Sequence, residues 1–372
     1  MRFFVFHPCC WLAVICSVML GCPEATRETP PGSSRKGDEA GKTVPSALAT
    51  PDEPPPPAPS SKPTMLVPNA HALALTACGD ALYYATVAVP TDPLRGLLKR
   101  NGAIMKLPKA GGEAMILVGG LAMVEQLACS ASTLYASAWF GTGAKMAPSA
   151  TPKVPIQTDM FAVSLAAGPG AAGVLRNITS TIAGKRFAVD QENVFFAAED
   201  SISMAPLKGG KTVTLAKVEG ITTVTVDDAF VFATTEDPDA IWKAPKAGGE
   251  AIELATEQMG PHSIVADADT VYWTNIEGGE VLRLAKTGGS PTKVAYDLAN
   301  PGDLLLDGDL LYIAVEGEEG EHRGAIVKCP RRGCAHRAIP VALGIKPAQR
   351  LAVDATSVYW TKEDGELLKA PK

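Results

Sequence analysis

Six polar residues occupy one recurring position of this chain, and their types suit them to hold a small polar ligand: Glu125, Arg186, Thr223, Ser263, Asp303 and Arg350, with Ala74 the apolar seventh. Each stands four residues before a position held by Asp in five copies (Asp190, Asp227, Asp267, Asp307, Asp354) and by Cys in two (Cys78, Cys129). The strongest ligand reading places a small polar molecule across Arg186, Arg350 and Glu125, where guanidinium and carboxylate groups supply charge-assisted hydrogen bonds. The competing reading is a mutually paired plug that hydrates a channel. Glu125 and Asp303 could serve a divalent metal, but no convincing third and fourth ligands accompany them.

Other catalytic signatures fail on spacing. The five histidines form no HExxH pattern, and no GxSxG or Ser/His/Asp order stands out. Paired glycines recur, as in PKAGGE at 108–113 and 245–250, but a strand pattern follows each pair where a phosphate cradle needs a helix N-terminus. The recurring Asp is better used by its own strand-end turn, accepting hydrogen bonds from the backbone just beyond it. No catalytic constellation emerges, and no cofactor or metal is expected.

The elements that must position these residues are strands. A phrase made of an apolar triplet, the Asp position, a few small residues and an aromatic returns seven times. It is anchored at Tyr83, Tyr135, Phe195, Phe232, Tyr272, Tyr312 and Tyr359, with gaps of 52, 60, 37, 40, 40 and 47 residues. Periods near 40–45 are those of four-stranded propeller blades. The alternating Val, Ile, Thr and Tyr runs, broken by Gly-Gly, Asp-Gly and Pro, favour strands over a helical solenoid. The last unit lacks its outer strand, and a spare strand, PTMLV (63–67), precedes the first. Pairing the two closes the ring and protects the edges. The expectation is an all-β, seven-bladed propeller over residues 63–372; six blades is the alternative if the second unit is an insertion.

The copies LAVDATSVYWT (351–361) and IVADADTVYWT (264–274) resemble the YWTD-type propeller repeats of lipoprotein receptors, and more closely a related bacterial family of uncharacterised propellers. The fourth motif position here is Asn275 or Lys362, and the receptor propellers have six blades. The resemblance implies a propeller used for binding and carries over no catalytic residue.

Residues 1–21 read as a signal peptide, with an apolar run after Arg2 and SVMLGC at its end. Gly21-Cys22 resembles a lipobox, which makes Cys22 the lipidation site. Residues 23–62 contain ten Pro and no aromatics, so they suit an extended tether reaching on the order of 100 Å. The expected localisation is the cell envelope, lipid-anchored, with outer-membrane sorting. Of eight Cys, four remain outside these segments, an even number suited to disulfides in an oxidising compartment. Cys329 and Cys334 face each other across the CPRRGC hairpin. Cys78 and Cys129 share the Asp position in adjacent units, and their pairing depends on the separation of inner-strand ends.

Net charge of −6 argues against a nucleic-acid partner. Long connections between second and third strands (86–102, 139–158, 315–324) fall on one face, and Trp139 and Phe140 begin one of them. The leading functional expectation is a non-enzymatic binding or scaffold lipoprotein whose partner is an envelope protein or a small polar ligand. The alternatives are a metal-dependent propeller hydrolase, lactonase or lyase, and a structural assembly subunit.

Overall fold

Each blade is an antiparallel meander whose tight turns the sequence supplies. In the fourth, Ile221–Val226, Phe230–Thr235, Ala240–Pro245 and Ile252–Ala255 follow one another from the ring axis outward. Gly248 and Gly249 turn the last hairpin at positive φ (83° and 139°), a conformation costly for any residue with a Cβ. In a computed structural model of the chain this unit recurs as seven four-stranded sheets. The described residues are 62–86, 102–121, 123–130, 132–139, 158–165, 175–182, 186–317, 324–362 and 365–372, all within one compact unit.

The protein is a seven-bladed β-propeller, and the six-bladed alternative falls away because the second unit forms a full blade. The inner strands are Ala72–Cys78, Met123–Ser130, Phe187–Val189, Ile221–Val226, Pro261–Ala266, Pro301–Asp307 and Ala348–Val353. Each abuts the next, and the last abuts the first. Thr64–Val67 pairs antiparallel with Leu367–Pro371 and becomes the outer strand of the seventh blade. The ring is thus sewn shut by its two ends, as the truncated last unit implied.

Between blades the core is a stack of buried apolar side chains, with Phe195, Phe232, Trp273, Tyr312 and Trp360 among the largest. In four blades the recurring Asp builds the turn beneath the inner strand. Asp227 Oδ1 accepts from Ala229 N and Phe230 N at 2.8 and 2.7 Å, and Asp190, Asp267 and Asp354 do the same in their blades. The other oxygen reaches the next blade. Lys246 binds Asp190 (2.7 Å), Lys286 binds Asp227 (2.5 Å), Arg331 binds Asp267 (2.6 Å) and Lys109 binds Asp354 (3.0 Å); Lys372 pairs with Asp307.

These cations all come from one register position, the residue just after the third strand. Its backbone N–H bonds the turn carbonyl of its own blade in every unit, as in Lys246 to Ala229 and Lys286 to Asp269. In the second and third blades that position holds Leu165 and Leu207, with the same backbone bond to Ser132 and Glu192. Those two leucines face the two units in which Cys replaces Asp. The disulfides Cys78–Cys129 and Cys329–Cys334 are both present, with Cα separations of 6.0 and 5.7 Å.

The repeated aromatic completes the seam. Tyr272 and Tyr359 donate to Asp267 and Asp354 at 2.8 and 2.9 Å. The ammonium groups of Lys246, Lys286 and Lys372 lie over Phe195, Phe232 and Tyr312. Burial alone would raise the carboxyl pKa of Asp190 and Asp227, but the lysine and the two turn N–H groups outweigh it and hold both below the usual carboxylate range.

Candidate functional site

At the opposite end of each inner strand the repeat breaks its register. Six of the seven inner strands carry a bulge there, between Ala72/Ala74, Val124/Gln126, Ile221/Thr223, Pro261/Ile264, Pro301/Leu304 and Ala348/Arg350. The third blade has none; its inner strand begins at Phe187, just after Arg186. A bulge re-aims side chains that a regular strand would alternate. In the fifth and sixth blades it spans two residues, His262–Ser263 and Gly302–Asp303.

The six polar positions consequently divide into two groups. Thr223 and Ser263 turn sideways and bond the next blade: Thr223 Oγ1 donates to the His262 carbonyl at 2.7 Å, and Ser263 Oγ accepts from Leu304 N at 3.2 Å. Gln126, one residue beyond the ring position, does the same with both the N–H and carbonyl of Phe187. Ala74 is buried among apolar neighbours. Arg186, Asp303, Arg350 and Glu125 form a charged cluster at the channel mouth.

The cluster spans the ring. Arg186 Nη1, from the third blade, donates to Asp303 Oδ1, in the sixth, at 3.0 Å, with side chains 15% and 8% exposed. Asp303 Oδ2 accepts from Leu351 N in the seventh blade at 2.9 Å. Arg350 Nη1 donates to the Gln349 carbonyl at 2.7 Å. Burial and the like charge of Arg186 push the Arg350 guanidinium down to about 10, against the opposing pull of Asp303 and Glu125. Burial would raise the Asp303 carboxyl, but the Arg186 and Arg350 guanidiniums hold it down and ionised.

His262 joins this cluster, and no sequence spacing pointed to it. Burial first, then the Arg186 guanidinium, push its imidazole down to about 4, so it is neutral at physiological pH. Its Nδ1 is buried without a hydrogen-bond partner, as is Arg186 Nη2. The cluster therefore offers a buried, uncommitted guanidinium donor beside a neutral imidazole. Among the described residues no group of three or more His, Cys, Asp or Glu is arranged to hold a metal ion.

Trp139 ends the strand Thr133–Trp139; its side chain, Phe140 and most of the three long connections lie outside the described residues. So do Cys22 and residues 1–61, which take in the expected signal peptide and nearly all of the expected tether.

No protein-family model matches the chain, and no curated protein matches it in sequence. Solved structures do. A streptogramin B lyase shares 13% identity over 84% of this chain and 97% of its own, with a TM-score of 0.59. A catalytically inactive histidine-to-alanine variant of virginiamycin B lyase from Staphylococcus aureus, with quinupristin, shares 14% over 84% and 98%, also at 0.59. A computationally designed protein shares 11% over 83% and 98%, at 0.53. At such identities the likeness is one of fold, and the fold is the β-propeller.

Proposed function

We propose that this chain is a lipid-anchored envelope protein that presents its propeller as a non-enzymatic binding module, with the channel mouth as its small-ligand site. The observation that supports this most is the pair of uncommitted buried polar atoms, Arg186 Nη2 and His262 Nδ1, beside a charged pair that crosses the ring. A plug selected for stability alone would satisfy such atoms, because each buried polar group without a partner costs about 1–3 kcal/mol. The YWTD-like phrase is consistent with a binding propeller but supplies scaffold: its Asp, Tyr and the facing Lys are spent on the blade seams. Cys22 carries the lipid in this reading, residues 23–62 form the tether, and nucleic acid is not a partner.

The test uses the full chain in detergent. Compounds that raise its melting temperature are identified, and each is recovered from the mixture and compared with the starting material. Recovery unchanged, with the shift abolished in Arg186→Ala, agrees with the proposal. A Cys22→Ser chain that still partitions with membranes would remove the anchor from it.

A lyase is the second reading, and one observation favours it. The neutral His262 imidazole lies beside Asp303 and two guanidiniums, groups suited to removing a proton and holding the resulting charge. The fold is shared with a streptogramin B lyase and with a virginiamycin B lyase whose histidine-to-alanine variant is catalytically inactive. Chemical change in the recovered compound, lost in His262→Ala, would replace the binding reading by this one.

A further inference from the structure

Three arginines break the repeat at one place. Five blades carry a second cation three residues before the seam cation: Lys106, Lys243, Arg283, Lys328 and Lys369. Its structural duty is plain where Lys243 Nζ donates to the Lys286 carbonyl at 2.8 Å and Lys369 Nζ to the Lys109 carbonyl at 3.2 Å. Arg283 Nη1 does the same to the Arg331 carbonyl at 3.2 Å, and Arg283 Nε donates to Thr292 Oγ1 at 3.1 Å. A lysine meets that duty in other blades, so the guanidinium of Arg283 exceeds it. Arg331 is likewise the one arginine among the five seam cations. Arg332 follows it where Ala110, Ala247 and Thr287 follow three of the others.

All three arginines line one cavity of about 360 Å³ on the turn side of the ring, between the fifth and sixth blades. The hairpin carrying two of them is also exceptional. Paired glycines at positive φ turn the corresponding hairpins of the first, third, fourth and fifth blades. Here the Cys329–Cys334 disulfide closes the loop around Arg331 and Arg332 instead. A covalently closed loop of this length has little freedom left to lose on binding, which favours affinity.

The cavity wall sets three guanidiniums against Asp267 and Asp269. Asp267 is fully engaged: Oδ1 accepts from Asp269 N and Thr270 N, and Oδ2 accepts from the Tyr272 hydroxyl and Arg331 Nη1. Among the described residues, Arg283 and Arg332 form no ion pair and Arg283 Nη2 has no hydrogen-bond partner. Two open, planar donor forks on one wall suit an anion with more than two acceptor oxygens. A carboxylate presents two. A phosphate monoester presents three terminal ones, and the volume leaves room for the group it esterifies.

We propose that Arg283, Arg331 and Arg332 form an anion site for a phosphate monoester, held in place by the disulfide-closed hairpin. It lies at the opposite end of the inner strands from Arg186 and His262, so its failure would leave the reading of the channel mouth untouched.

Calorimetric titration of the full chain in detergent with glycerol 3-phosphate, acetate and glycerol, at fixed pH and ionic strength, tests it. Glycerol 3-phosphate should bind at least about tenfold more tightly than acetate, and glycerol should give no heat. Arg283→Lys and Arg332→Ala each install a residue that other blades use at that position. Both should keep the wild-type melting temperature while affinity for the phosphate ester falls about tenfold. Asp269→Asn removes a negative charge from the same wall and should tighten binding. Flotation of a Cys22→Ser chain with phosphatidylcholine vesicles, with and without phosphatidic acid, distinguishes the source of the phosphomonoester. Capture that needs phosphatidic acid and is lost in Arg283→Lys assigns it to a lipid headgroup; no capture, with glycerol 3-phosphate still bound, assigns it to a free ester. Equal affinity for acetate and the phosphate ester overturns the proposal, as does undiminished binding in both arginine variants. So does a loss of affinity that comes only with a lower melting temperature, or weaker binding in Asp269→Asn.

Discussion

Five of the seven seams between blades are closed by an Asp of one blade and a Lys or Arg of the next; the other two put Cys opposite Leu. The backbone geometry is the same in both cases, since the bond from the residue after the third strand to its own turn recurs in all seven units. What differs is how the charge problem is solved. An Asp whose neighbour offers Leu would be a half-buried carboxylate with no cation, and a Lys facing Cys would be the converse. The chain changes both members together. The first two blades then gain a covalent link, Cys78–Cys129, which no ion-paired seam has.

The largest effect should come from breaking that link. Cys78→Ala or Cys129→Ala removes a bridge across 51 residues of sequence, and such bridges contribute about 2–4 kcal/mol. A fall in unfolding midpoint larger than that of any single ion-pair variant is expected. The more discriminating version installs the sixth ion pair. Cys78→Asp alone and Leu165→Lys alone should each destabilise, and together they should recover more than about 1 kcal/mol relative to the sum of the two. Strict additivity would mean that the paired substitution between seams is coincidental.

Smaller losses should follow within the ion-paired seams, graded by burial. Lys286, with its side chain 9% exposed, binds Asp227 and also donates to the Asp267 carbonyl. Lys286→Met leaves both acceptors without their donor and should cost about 1–3 kcal/mol. Arg331, 42% exposed where it meets Asp267, should matter much less on substitution by Met, because solvent screens the pair. Equal midpoint shifts for the two variants in denaturant titration would separate seam strength from burial.

Blade number, strand order and ring closure were legible in the sequence because each depends on the period alone; the Cys329–Cys334 bond was legible in its hairpin, whereas the Cys78–Cys129 bond was decided by the 6.0 Å Cα separation of the two inner-strand ends. The truncated unit ending LLKAPK and the spare strand PTMLV had one another as natural partners. The seam pairing was also written there, in the residue after each third strand: Lys or Arg in the five units whose predecessor carries Asp, Leu in the other two. It goes unread when each unit is aligned only to itself. The channel mouth was half legible. Arg186, Asp303, Arg350 and Glu125 do converge, but Thr223 and Ser263 are committed to backbone groups of the next blade. His262 could not be read, because the bulge that brings it to the cluster breaks the two-residue alternation on which any strand reading rests.

Acid provides the mildest way to separate seam from mouth. Asp190, Asp227 and Asp267 have folded pKa values below their unfolded value of 3.8, so each contributes stability that is present above that value and is lost as pH falls through the lower, folded one. His262 acts in a different window. Its folded pKa of about 4 lies below the unfolded 6.5, so between those values the unfolded chain takes up a proton that the folded chain refuses. Stability is therefore lost as pH falls from about 6.5 to 4. The unfolding midpoint should decline in two stages, one for the mouth and one for the seams. His262→Phe should remove the first stage alone, and Asp267→Asn should make the second shallower without touching the first. Added salt should flatten the second stage more than the first, since the seam pairs are partly open to solvent and the imidazole is enclosed. Should both variants follow the wild-type profile at every pH, neither group governs acid stability, and the division between a charge-closed rim and a buried polar mouth loses its electrostatic basis.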